Sequence, residues 1–233
     1  MKEINKTRWI ILGVFIFLLV SFLAAFPTIN NYYVKSKLEP QLVLEDSIKN
    51  MSVVNSYRYS LKSGFSVDGR EEVISEVQGE KNGENTHIKG EMVNTPIDIY
   101  YIDRTIYNYD SFAEKWLIIE SGTTNSEELL ISELNPLSNF RFKQINSVEK
   151  LRFEYIDGAE CLVVMCKPSI EIELLETLWK DFEYHIWLDY KDNLIKRALL
   201  TATNKQNEKT ELSLETEFMD INKKISIKSP IEE

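Results

Sequence analysis

The sequence predicts a mainly β (α+β) domain, a strongly curved antiparallel sheet with a few short helices, preceded by one N-terminal transmembrane helix. Three observations predict it. An uncharged apolar run extends from Trp9 to Phe26. Period-two alternation sets in at Ser56 and recurs toward the C terminus. The pairs Asp68-Gly69, Asn82-Gly83, Asp103-Arg104, Asp157-Gly158 and Asp192-Asn193 each separate two strand-like runs, as hairpin turns do.

The apolar run comes first. As a helix rising about 1.5 Å per residue it is roughly 27 Å long, the thickness of a bilayer core. Lys2, Lys6 and Arg8 precede it with only Glu3 against them, and Lys35 and Lys37 follow. The basic bias keeps residues 1–8 in the cytoplasm and places the bulk of the chain outside it, in or on the cell envelope. A cleaved signal peptide wants a shorter apolar core and a small-residue cut site. Here Phe22, Leu23 and Phe26 crowd the one candidate, Ala24-Ala25. The expectation is an uncleaved anchor over 9–26, a polar spacer over 27–37 and one extracytoplasmic domain over 38–233.

Residues 1–26 hold three basic and one acidic side chain of the chain's 27 and 37, leaving 24 against 36 and a net charge of −12 for the remainder. That excludes a nucleic-acid partner, which needs a positive surface. Cys161 and Cys166, the two cysteines, sit in one apolar strand-like run. Five strand steps put them roughly 16 Å apart on opposite faces, beyond disulfide reach.

Within the domain, Leu38 to Asn55 reads as a helix with Pro40 in its first turn and Leu44, Ile48 and Met51 on one face. Strands follow near 56–66, 71–81, 85–93, 96–102, 105–110, 115–120, 148–156, 159–167, 181–190, 194–203, 210–219 and 224–228. Two amphipathic helices interrupt the meander, Ser126 to Asn135 ahead of Pro136, and Ser169 to Trp179 with Ser169 as its cap.

Catalytic and metal chemistry find no pattern to rest on. His87 and His185 are the two histidines, and neither has a second His or Cys at ligand spacing. No nucleophile elbow and no glycine-rich phosphate loop occurs. Glu211, Ser213, Glu215 and Glu217 share one strand face, which reads as a solvated surface because calcium loops bring their ligands from glycine-containing turns. No enzyme activity, cofactor, metal or catalytic residue is therefore expected.

The apolar faces stand out, because a sheet must cover its apolar side with something. Tyr57, Tyr59, Leu61, Phe65, Ile97, Ile99, Tyr101, Leu151, Phe153 and Tyr155 contribute to them, and only three short helices are on hand. Such a sheet either encloses an apolar cavity or is filled completely by its helices. Composition alone leaves both open.

The order of elements, the run Trp187-Leu188-Asp189-Tyr190-Lys191-Asp192-Asn193-Leu194-Ile195-Lys196-Arg197, and the ending Phe218-Met219-Asp220-Ile221-Asn222 with Ile225 to Pro230 resemble the LolA-like lipoprotein-carrier superfamily. They resemble its mycobacterial glycolipid-carrier and Gram-positive, membrane-anchored relatives as well. The resemblance covers roughly residues 44–230, and no catalytic signature takes part in it. It implies a strongly curved antiparallel sheet forming an unclosed β-barrel around short helices, with an apolar interior that binds acyl chains or a platform for protein partners. A fixed anchor with no lipid-modified cysteine departs from a shuttling carrier, since a tethered protein cannot cross a periplasm.

The leading expectation is a membrane-tethered binding protein that holds a lipid or lipoprotein acyl chain. Phe153, Tyr184, Ile186, Leu188, Leu212, Leu214 and Phe218 would line the concavity, with Leu130, Leu134, Leu174 and Leu178 as its movable cover. The rival is a module that binds an envelope protein partner and no lipid.

Overall fold

A computed structural model describes residues 3–120, 135–171 and 173–231. Two compact units divide at Glu39 and Pro40.

The first unit is helix α1, Glu3–Lys37. By length and composition, Trp9–Lys37 is able to cross a membrane. The helix runs through the segment expected to be a spacer. Pro27 forfeits one backbone bond but does not end it, and no further Pro or Gly intervenes before Pro40. The residue before a proline is steered out of helical conformation, so the break falls at Leu38 and Glu39, and Pro40 opens the next helix.

The second unit begins with α2, Pro40–Ser52, which buries Val43, Leu44, Ser47 and Met51. Strands follow as β1 Ser56–Val67, β2 Arg70–Asn82, β3 Asn85–Met92, β4 Thr95–Ile102, β5 Thr105–Asp110 and β6 Lys115–Glu120. After a 3₁₀ helix, Pro136–Phe140, come β7 Phe142–Gln144, β8 Val148–Ile156, β9 Ala159–Cys166, β10 Ser169–Ile170 and helix α3 Glu173–Leu178. The chain ends through β11 Trp179–Asp189, β12 Leu194–Asn204 and β13 Thr210–Met219.

Eleven strands form one antiparallel sheet in the order β6-β5-β4-β3-β2-β1-β13-β12-β11-β9-β8, and the sheet does not close, because β6 and β8 do not pair. The turn pairs read from the sequence carry the left-handed backbone that hairpin turns require: φ is 50° at Asp68, 80° at Gly69, 47° at Asp157 and 50° at Asn193.

Register makes one face apolar. Tyr59 faces Phe218, Leu61 faces Thr216, Leu200 faces both Leu214 and Tyr184, and Leu188 faces Leu162. Irregular register at Ser63/Gly64, Lys180/Glu183, Trp187/Leu188 and Lys150/Arg152 marks bulges, which bend and twist their strands. Gly79 lies opposite Tyr59, and a β-carbon there would stand 2.0 Å from the tyrosine ring. The missing side chain is what lets that ring lie flat on the strand.

Helix α2 packs on this inner face against β8, β9, β11, β12 and the 3₁₀ helix. On the other face a small apolar cluster of Cys161, Val163 and Trp187 is capped by Arg197, 5.0 Å over the indole. Cys161 and Cys166 are both buried and unbridged, and register places them on opposite faces.

Two further expected elements differ, and a third lies almost wholly outside the described residues. Residues 224–228 are not a strand: β1 already pairs with β2 and β13, so no free edge is offered there. Side chains hold the tail instead, Ser56 Oγ donating to Lys223 O at 2.7 Å and Asn82 Nδ2 to Ile225 O at 3.0 Å. The helix expected over Ser169 to Trp179 shrinks to Glu173–Leu178, because Ser169 and Ile170 pair with β7 and Trp179 pairs with Asn204. The helix expected over Ser126 to Asn135 lies outside the described residues except for Asn135, which precedes the 3₁₀ helix.

Candidate ligand-binding crevice

At one end of the inner face, the C-terminal turn of α2 and the 3₁₀ helix stand apart over the starts of β1 and β12 and the end of β2. A crevice of about 440 Å³ lies between them. Its apolar wall comprises Ile48, Met51, Val54, Tyr57, Leu137, Phe140 and Ile195, and Lys81, Glu84 and Arg141 bring charge to it.

Each wall residue is placed by a local rule. Ile48 and Met51 lie three apart on one side of α2, the spacing of a helix face. Tyr57 starts the inward alternation of β1, and Ile195 is the inward residue of β12 that faces Leu188. Pro136 begins the 3₁₀ helix, whose short turn carries Leu137 and Phe140 to the crevice. Phe140 is then fixed by rings on its far side, with centroids 6.3 Å from Tyr184 and 6.2 Å from Phe218. The Tyr184 hydroxyl donates to the carbonyl of Asn139 at 2.9 Å, tying the 3₁₀ helix to β11.

Polar groups at the crevice are sparsely satisfied. The Tyr57 and Ser138 hydroxyls are buried without a hydrogen-bond partner among the described residues. Lys81 is on the inner side of β2, opposite Tyr57 in register, and makes no ion pair among the described residues. Burial lowers the pKa of its amine, while the negative charge of Glu84 pulls the other way. Burial also raises the Tyr57 phenol well above its ordinary value, so the hydroxyl is a neutral donor at physiological pH.

The residues expected to line a concavity divide into two groups. Tyr184, Ile186, Leu188 and Phe218 are at most 1% exposed and form packed core, with Tyr184 and Phe218 directly behind Phe140. Leu212 and Leu214 are buried further along β13, where Leu212 borders a separate 320 Å³ crevice with Ser63, Phe65 and Thr201. Phe153 is half-buried at the sheet's far edge, edge-on to Tyr190 at 5.7 Å. Of the expected cover, Leu178 is 45% exposed at the end of α3 and covers little. Leu130, Leu134 and the side chain of Leu174 lie outside the described residues.

Among the described residues no group of three His, Cys, Asp or Glu side chains is placed to hold a metal ion. In the acidic row of β13, Glu215 and Glu217 ion-pair with Arg197. His87 stacks on Tyr100 at 3.8 Å and bonds Asp98 at 2.9 Å on the outer face, away from the crevice.

No family model and no curated relative matches the sequence. Solved structures do. LprF from Mycobacterium bovis aligns over 83% of this chain and 97% of its own, at 11% identity and a TM-score of 0.57. The lipoprotein LppX of Mycobacterium tuberculosis aligns over 82% and 100%, at 12% identity and a TM-score of 0.56.

The domain has the fold of LprF and LppX. A LolA superfamily protein, NE2245 from Nitrosomonas europaea, is similar more loosely, with 10% identity over 82% of this chain and 96% of that one and a TM-score of 0.37. At these identities the likeness is one of fold.

Proposed function

We propose that this chain is a membrane-tethered, extracytoplasmic binding protein, without catalytic activity, that takes an acyl chain of a lipid or lipoprotein into the crevice between α2 and the 3₁₀ helix. The observation that carries the reading is the crevice itself: about 440 Å³, walled by Ile48, Met51, Val54, Tyr57, Leu137, Phe140 and Ile195 at the open end of a LolA-like sheet. Binding sites for small molecules are typically concave, mostly apolar and furnished with a few polar groups.

Phe140 separates the crevice from Tyr184 and Phe218. Rotation of that one ring, or withdrawal of the 3₁₀ helix, would connect the crevice to the core face on which Tyr184, Ile186, Leu188 and Phe218 lie, so a longer chain would extend along it. α1 would keep the site at the outer face of one membrane, with residues 1–8 inside. Local lipid or lipoprotein handling, or sensing of an envelope lipid, fits a site that does not travel.

A second reading has its own support. Phe112 is 96% exposed and Ile118 58%, beside Tyr109 and Trp116 on the β5–β6 hairpin, and β6 is an edge strand with an unpaired side among the described residues. Such an edge suits strand addition by an envelope protein partner.

All the buried core residues fall from Val43 onward, so residues 38–233 keep the whole core and can be tested alone. Native mass spectrometry of that fragment, purified from a membrane-containing host, should find bound acyl species that organic extraction removes. A clean unliganded mass together with no uptake of a fluorescent fatty acid would leave the protein-partner reading in its place.

A further inference from the structure

The crevice holds three polar groups that its apolar walls do not explain. Lys81 projects from the inner side of β2, next to Gly79 and Val77, on a face otherwise built from Tyr57, Tyr59, Leu61 and Ile88. Its ammonium is partly withdrawn from water and makes no ion pair among the described residues, with only the charge of Glu84 acting on it from beyond ion-pair distance, an arrangement that is costly. Lys81 lies near the end of the strand, partly buried, so its amine is within reach of both the crevice and water. The Tyr57 hydroxyl, opposite Lys81 in register, and the Ser138 hydroxyl across the crevice are buried donors with no acceptor. All three groups line one crevice, and among the described residues neither hydroxyl has a hydrogen-bond partner and Lys81 has no ion pair.

We infer that the chain bound in this crevice carries an anionic head, a carboxylate or a phosphate monoester, that is held by Lys81 with the Tyr57 and Ser138 hydroxyls as further donors. The inference rests on the acyl-chain reading and specifies its ligand. A single anionic head would satisfy the ammonium and both hydroxyls at once, while the tail takes the wall of Ile48, Met51, Val54 and Phe140. Arg141 stands on the rim and adds positive charge at the entrance. Glu84 lines the crevice too and its charge acts on Lys81, so an incoming anionic head has to compete with it for the amine. Elsewhere the domain is strongly acidic and would repel anions. Selectivity for an anionic head is therefore local to this site.

Lowered amine pKa and burial at Lys81 agree with this arrangement, since an incoming anion would restore the charge that burial disfavours.

The test is fluorescence titration of the 38–233 fragment with parinaric acid and with its methyl ester, which share a tail and differ in head charge. A charge-assisted hydrogen bond in a desolvated site should favour the acid by roughly tenfold or more. Lys81→Met should bring the acid down to the ester's affinity, and Lys81→Arg should keep most of the preference, with circular dichroism checking that both variants fold. Displacement by a monoalkyl phosphate against a fatty acid of equal length then tells which anion is preferred. Equal binding of acid and ester by the unmodified fragment overturns the inference and leaves the acyl-chain reading standing. Loss of both in Lys81→Met to the same degree also overturns it, and binding of neither overturns the reading and the inference together.

Discussion

Phe140→Ala tests how the crevice is walled. The ring is 5% exposed and lies among three aromatic rings, Phe142, Tyr184 and Phe218, with centroids between 6.2 and 6.3 Å away. Truncating a buried Phe to Ala costs about 3–5 kcal/mol, and the cost falls where surrounding groups can close on the space. Phe140 borders the open crevice on one side, which places this substitution near about 3 kcal/mol. For a domain of this size each kcal/mol shifts Tm by about 2–4 °C, so a fall of roughly 6–12 °C is expected. Urea unfolding followed by tryptophan fluorescence gives the free energy directly. Phe140→Leu should fall between wild type and alanine. In parallel, the alanine variant should accept longer acyl chains than the wild type, because the wall between the crevice and Tyr184 is gone. A loss below about 1 kcal/mol with unchanged chain-length preference would mean that Phe140 neither packs the core nor closes the crevice, and the geometry argued above would fail.

Gly79→Ala should lose about 1–3 kcal/mol in the same urea assay, because its β-carbon would meet the immobile Tyr59 ring at 2.0 Å; pairing it with Tyr59→Leu should recover part of that loss. Burial pushes the Cys161 thiol up to about 11 and Cys166 up to about 12, against an ordinary value of 9.0. Both should resist an aromatic disulfide reagent at pH 8 in the native protein and react once it is unfolded. Because the native state holds protons that the unfolded chain releases, this contribution to stability is complete below pH 9 and is lost as pH rises toward 12. The buried phenols of Tyr57, Tyr184 and Tyr190 shift the same way, so a fall in the urea midpoint between pH 9 and 12 is expected. An uncleaved α1 should leave the protein in the membrane pellet after alkaline carbonate washing; a soluble product beginning near Ala25 would show cleavage.

Strands were legible because two independent signals coincided. Alternation from Tyr57 to Phe65 and the left-handed turn at Asp68-Gly69 mark the same hairpin, and the same holds around Asp157-Gly158 and at Asp192-Asn193. The short strands β7 and β10 escaped notice, since three and two residues show no period and their pairing joins segments far apart in the chain. Alternation in 224–228 was real but could not make a strand where no sheet edge was free. The family resemblance anticipated the fold, which comes from the order of elements.

The crevice was harder to read. Its walls come from α2, β1, β2, β12 and residues 135–141, and no local pattern joins Met51 to Lys81, Phe140 and Ile195. Lys81 ends a strand in which polar residues are common, so only the register shows that it turns inward beside Tyr57. Pro136 and the closely spaced Phe140 and Phe142 were the available hint. They could mark a chain that turns across the apolar face, without showing which part of that face it leaves open. Tyr184, Ile186, Leu188 and Phe218 are buried on the apolar face, and how tightly they are packed depends on Phe140 and α2, which no local pattern shows.

Photolabelling maps the site most directly. The 38–233 fragment, saturated with a fatty acid bearing a terminal diazirine and irradiated, is digested and its labelled peptides sequenced. The account predicts label on peptides from Ile48 to Tyr57 and from Asn135 to Arg141, competed away by unmodified fatty acid. Label confined to the β5–β6 hairpin, or spread over the surface without competition, would contradict it.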